Sequence, residues 1–100
     1  MVDVVDPERF PFMYLTLEQD WTKDQVTRIF DLMDEVLKSL STPKKIGAIE
    51  FERRVKSIVP DSSYETVKSI LLTFGDEHKY MDVYEHLRKD GLNIPEPRDT

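Results

Sequence analysis

The sequence has no cysteine, and it has only three glycines and one tryptophan in 100 residues. Without cysteine there is no disulfide, no thiol nucleophile and no thiolate metal site, so thiol redox and zinc-finger chemistry are excluded. Gly47, Gly75 and Gly91 stand too far apart to build either common phosphate-cradling loop, and no serine sits in a Gly-x-Ser-x-Gly elbow. No apolar run approaches the roughly twenty residues that span a bilayer. The opening MVDVVDPERF lacks the basic residues and apolar stretch of a signal peptide, so a cytoplasmic protein without membrane contact is expected.

What is present is charge and apolar residues in helical register. Hydrophobic residues make up 39% and charged residues 34%, too apolar for a disordered chain and too charged for a membrane protein. A chain of this length suits one domain with one core. The net charge of -6 divides into -9 over residues 1–40 and 61–100 together and +3 over residues 41–60. An acidic whole disfavours nonspecific binding to nucleic acid, while the basic middle, Lys44, Lys45, Arg53, Arg54 and Lys56, is a candidate patch for a phosphate or an acidic partner.

Five helices are expected, joined in an all-α, single orthogonal bundle around a long central helix. An extended arm covers 1–10, the helical domain 11–91 and a flexible tail 92–100. Proline is tolerated in a first turn, so a short helix runs from Pro11 to about Gln19. Thr22-Lys23-Asp24-Gln25 has the form of a capping box and opens the long helix over 23–40. Its apolar stripe is Val26, Ile29, Phe30, Met33, Val36, Leu37 and Leu40, in steps of three and four. Ser41 to Gly47 reads as a connection. Phe51, Val55, Ile58 and Val59 mark a third helix stopped by Pro60. Ser62 and Glu65 match a second capping box, before a fourth helix presenting Val67, Ile70, Leu71 and Phe74 and closed by Gly75 in the left-handed region. Asp76 then caps a fifth helix, with Tyr80, Met81, Tyr84 and Leu87 inward and Gly91 as its stop. Asn93 to Thr100, with two prolines, offers no stripe to bury.

The densest chemistry lies in Asp76 to Lys89, where two histidines and four carboxylates fall within one stretch. On a helix His78 and His86 share a side but stand two turns, or about 12 Å, apart, so they cannot ligate one ion together. Pairing either with Asp82 gives only two ligands on an open helix. The strip therefore reads as scaffold, and no catalytic, cofactor or metal residue is assigned. The segment from Asp31 to Val59 has an EF-hand outline, but Lys44 and Lys45 occupy positions where oxygen ligands should stand.

Glu8-Arg9-Phe10-Pro11-Phe12, the helix ending Asp34 to Leu40, the link from Gly47 to Phe51, and Tyr64-Glu65-Thr66-Val67 leading to Tyr80-Met81-Asp82-Val83-Tyr84 together resemble the YhaI-like family, an uncharacterised all-helical group from Bacillus and related Firmicutes. The resemblance covers roughly residues 8–88. It implies an all-α fold and a Gram-positive bacterial or phage origin, and it carries over no catalytic or binding residue. The chain departs from that group at its front, where Met1 to Pro7 stands in place of an additional amphipathic helix.

Two function classes follow. The first is a noncatalytic protein-protein interaction module, a small regulator, adaptor or inhibitor. Phe12, Tyr14 and Trp21 with the acids Glu18 and Asp20 form its candidate contact surface, because aromatic anchors concentrate binding energy. A homo-oligomer is a second arrangement such a surface permits. The alternative is a nucleic-acid-associated protein, with Arg53 and Arg54 on phosphates and Lys56 on a base edge; Glu50 and Glu52 on the same element count against it.

Overall fold

The computed structural model describes residues 11–76 and 80–96, and all the regular structure among them is helical. The elements are α1 (Pro11–Glu18), α2 (Lys23–Ser39), α3 (Ala48–Ile58), α4 (Tyr64–Asp76) and α5 (Met81–Lys89). The expected arm over 1–10 lies outside the described residues. α1 packs on α4, α2 on α3 and α5, and α4 on α3 and α5. None of these helices is long and apolar enough to cross a membrane.

The capping box of α2 forms as the sequence predicts. Gln25 N–H donates to Thr22 Oγ1 at 3.1 Å, and Thr22 N–H donates back to Gln25 Oε1 at 2.9 Å. Such a cap is worth about 1 kcal/mol. Gln25 also donates through Nε2 to the Ile58 carbonyl at 3.2 Å, tying the start of α2 to the end of α3. The stripe that α2 buries is rotated from the expected one. Ile29, Leu32, Met33 and Val36 are buried, while Leu37 is exposed. α5 turns similarly, burying Val83, Tyr84 and Leu87 and leaving Met81 half-buried.

The cap before α4 lies one residue later than expected. Ser63 and Thr66 bond reciprocally, each backbone N–H facing the other's hydroxyl. Gly75 does not end α4; it lies within the helix, which runs to Asp76. A Cβ at Gly75 would stand 3.0 Å from the Tyr84 ring, so the glycine is there for the close approach of α5. The left-handed residue is instead Tyr80, with φ 55°, immediately before α5.

Tyr80 is held there at both ends of its side chain. Its ring meets Phe74 edge-on at 5.2 Å, and its hydroxyl donates to Asp34 Oδ1 at 2.9 Å. Burial, and then the Asp34 hydrogen bond, push its ionisation up to about 12. In the unfolded chain the phenol ionises near 10. The stabilisation from the neutral phenol is therefore complete below about pH 10 and is lost as pH rises through about 12. Spectrophotometric titration is expected to show a tyrosine component near pH 12 that Tyr80→Phe removes; its persistence in the variant would reject the assignment.

The expectation of a flexible tail from residue 92 is corrected for residues 92–96. Leu92 and Ile94 are buried in the core. α5 closes with Leu92 N–H donating to Leu87 O and Gly91 N–H to Arg88 O, with Gly91 at φ 114°. This is a Schellman turn, which swings the residue after the glycine back onto the helix. Two tyrosine hydroxyls then fix the segment: Tyr84 donates to Pro95 O at 2.7 Å, and Asn93 N–H donates to Tyr64 at 3.1 Å. The stretch lacks a helical stripe because it packs as irregular chain. Residues 97–100 lie outside the described residues.

Candidate interaction surface

α1 is apolar on nearly every side. At 100° per residue Phe12, Leu15 and Thr16 share one arc, and Met13, Tyr14 and Leu17 the opposite one. The first arc is buried. The second is open, with Met13 48%, Tyr14 42% and Leu17 62% exposed. A helix hydrophobic all round is ordinarily enclosed on all sides; α1 is enclosed on one.

This geometry divides the five residues expected to form a contact surface. Phe12 does not belong to it: its ring stacks on Phe74 at 4.5 Å and meets Phe30 edge-on at 5.1 Å, making it core. Burial of the largest apolar side chain of a short helix contributes more to folding than exposing it would to any contact. Trp21 is half-buried, 6.5 Å from Phe12 between ring centroids. Tyr14, Glu18 and Asp20 are exposed, as a contact surface requires. Met13 and Leu17 complete the open arc. Their signal is in the sequence, where Phe10, Phe12, Met13, Leu15 and Leu17 form one apolar cluster, but only the packing of Phe12 against α4 decides which arc faces out.

The turn after α1 has the geometry that closes α5. Trp21 N–H donates to Thr16 O at 3.0 Å and Asp20 N–H to Leu17 O at 3.2 Å, a second Schellman turn. Here the left-handed position, φ 56°, is filled by Asp20 and not by glycine. The turn sets Asp20 and Trp21 beside the loop between α3 and α4. A cavity of about 140 Å³ opens between them, lined by Gln19, Asp20, Trp21, Pro60, Asp61 and Ser62 among others. Ser62 Oγ is shielded from solvent and has no hydrogen-bond partner among the described residues.

A larger groove of about 260 Å³ lies between α2 and α3. Leu32 and Ile58 supply its apolar lining, with Arg28, Asp31, Glu35 and Arg54 around them. The groove is charged with both signs, and three of its four ions are engaged: Arg28 pairs with Asp24 at 3.1 Å, and Arg54 bridges to Glu35.

The basic patch is similarly compensated. Lys44 and Lys45 are exposed on the α2–α3 connection. Arg53 pairs with Glu50 at 3.1 Å, Arg54 with Glu50 at 2.9 Å and with Glu35, and Lys56 approaches Glu52 at 3.9 Å. The Arg54 hydrogen bond holds the Glu50 carboxyl below its ordinary range. Arg53, Arg54 and Lys56 thus face carboxylates of their own chain before any phosphate.

His78 lies outside the described residues. His86 is structural: its Nε2 lies 2.9 Å from the Ile46 carbonyl, anchoring α5 to the α2–α3 connection. Among the described residues no group of three or more histidine, aspartate or glutamate side chains is placed to hold a metal ion. In comparisons with known proteins, no family model matches this chain, nor does any curated protein or any solved structure.

Proposed function

We propose that the chain is a noncatalytic protein-interaction module whose contact surface is the outer arc of α1 with the acidic turn that follows it. The observation that carries this reading is that arc: Met13, Tyr14 and Leu17 lie side by side and exposed on a helix whose other arc is core. Single exposed apolar residues are ordinary, but a contiguous set marks an interaction site. Methionine and tyrosine are also among the residues enriched where proteins meet. Glu18 and Asp20 give the arc a polar rim. The engagement of Arg53, Arg54 and Lys56 by carboxylates favours a protein partner over a nucleic acid.

Leu17→Glu tests the reading. The side chain is exposed, so the variant is expected to fold, with stability within about 0.5 kcal/mol of the parent by denaturant titration. The tagged parent should retain a stoichiometric protein from a nuclease-treated lysate of the organism that encodes it, and Leu17→Glu should not. Equal retention by both would reject the α1 surface. Partners lost on nuclease treatment would return the weight to the basic patch.

A further inference from the structure

The acids around the Trp21 cavity belong to those described carboxylates that no lysine or arginine pairs with. Asp24, Glu35, Glu50, Glu52, Glu65 and Glu85 each have a lysine or arginine partner. Asp20 and Asp61 have none among the described residues, and neither does Glu18 at the end of α1. The residues lining the cavity include no base at all. Trp21 lines it together with Asp20 and Asp61; an aromatic ring attracts cations, and neighbouring carboxylates attract them further. At about 140 Å³ the space is below the roughly 300–1,000 Å³ of small-molecule and cofactor pockets. It amounts to a few water volumes of about 30 Å³ each, the scale of one side-chain head group.

Placement adds a second constraint. The cavity begins at Gln19, directly after the open arc of α1 ends at Leu17 and Glu18. Gln19 and Asp20 follow Leu17 and Glu18 in the chain, which puts the cavity at the same end of α1 as the last residue of the arc. We propose that the cavity seats a basic side chain, arginine before lysine, of a partner segment whose apolar residues lie along that arc. This inference rests on the α1 surface reading and gives its partner a chemistry: a basic amphipathic peptide segment. Arginine is preferred because its planar guanidinium stacks on an indole while forking to carboxylates, which an ammonium cannot do.

The test uses the single tryptophan as its own reporter. The probe is a synthetic amphipathic peptide of leucine and arginine, compared with versions carrying lysine or glutamate in place of arginine. The arginine peptide is expected to shift Trp21 emission and bind most tightly, and the glutamate peptide not to bind. Asp20→Asn with Asp61→Asn should weaken arginine-peptide binding at least about tenfold. Asparagine tolerates the left-handed turn at Asp20, so the fold is preserved. Asp31→Asn with Asp82→Asn changes the net charge equally and should leave the affinity within about twofold. Equal weakening by both pairs would show diffuse acidity and overturn the proposal, as would no binding of the arginine peptide or unchanged affinity in the Asp20 and Asp61 pair. Leu17→Ser separates the two levels. Weakening by Leu17→Ser alone overturns the basic seat and leaves the α1 surface standing, whereas indifference to all these changes rejects both.

Discussion

Phe74→Ala is expected to destabilise the protein by about 3–5 kcal/mol, the usual cost of truncating a fully buried phenylalanine. Phe74 is 1% exposed and lies where four elements meet. It stacks on Phe12 of α1, meets Phe30 of α2 at 5.6 Å and touches Tyr80 before α5 at 5.2 Å. Alanine would leave a cavity that none of these neighbours can fill without moving its own helix, so transfer and cavity costs add. Domains of this size are stable by about 5–15 kcal/mol in total, and the variant should sit near its unfolding midpoint at mild denaturant. Urea titration followed by far-ultraviolet circular dichroism measures the loss directly. A change below about 1 kcal/mol would mean that the ring cluster is not the centre of the core.

Gly47→Ala is expected to cost about 1.5–3 kcal/mol, through a residue far away in sequence. Gly47 is the N-cap of α3 and has no side chain with which to cap it. The cap comes from Asp90 at the end of α5, whose Oδ2 accepts the Ala48 N–H at 2.7 Å. A Cβ on Gly47 would stand 2.5 Å from that oxygen. The methyl group therefore displaces the carboxylate and removes a charge-assisted hydrogen bond at the positive end of a helix. Asp90→Ala should cost a similar amount. The decisive reading is the double variant: with the carboxylate already gone, Gly47→Ala should add almost nothing, leaving a coupling energy close to either single effect. Simple additivity of the two changes would show that the glycine serves some other purpose.

Local signals were legible in this sequence wherever the interacting atoms are close along the chain. The Thr22 to Gln25 box needs only residues three apart, and it forms as read. Val67, Ile70, Leu71 and Phe74 are all buried, because a four-position stripe on one helix has one apolar side to offer. The end of α3 follows from Pro60, which disfavours helical geometry in the residue before it.

What was misread depended on a distant neighbour. Gly75 followed by Asp76 has the form of a helix stop and a new cap, yet the glycine makes room for Tyr84 from α5. Leu32 replaces Leu37 in the core because the position of α3 and α5 around α2 selects among adjoining stripes. Phe12 read as an anchor for a partner, and it is an anchor for Phe74. The candidate surface is legible in part: composition and spacing point to Tyr14, Glu18 and Asp20, but Ser62 reads only as a helix cap and nothing local links it or Asp61 to Trp21. They reach Trp21 through the packing of the α3–α4 loop against the α1–α2 turn.

The sequence alone determined that this protein is all-helical, where its longest helix begins and which side of α4 is apolar, since these follow from capping and periodicity within a few turns of chain. Tertiary structure decided which arc of α1 is left open, that Leu92 and Ile94 return to the core, and that Asp20, Trp21 and Asp61 share one cavity. Those outcomes turn on contacts between residues tens of positions apart, and no local pattern records which of several apolar faces will meet.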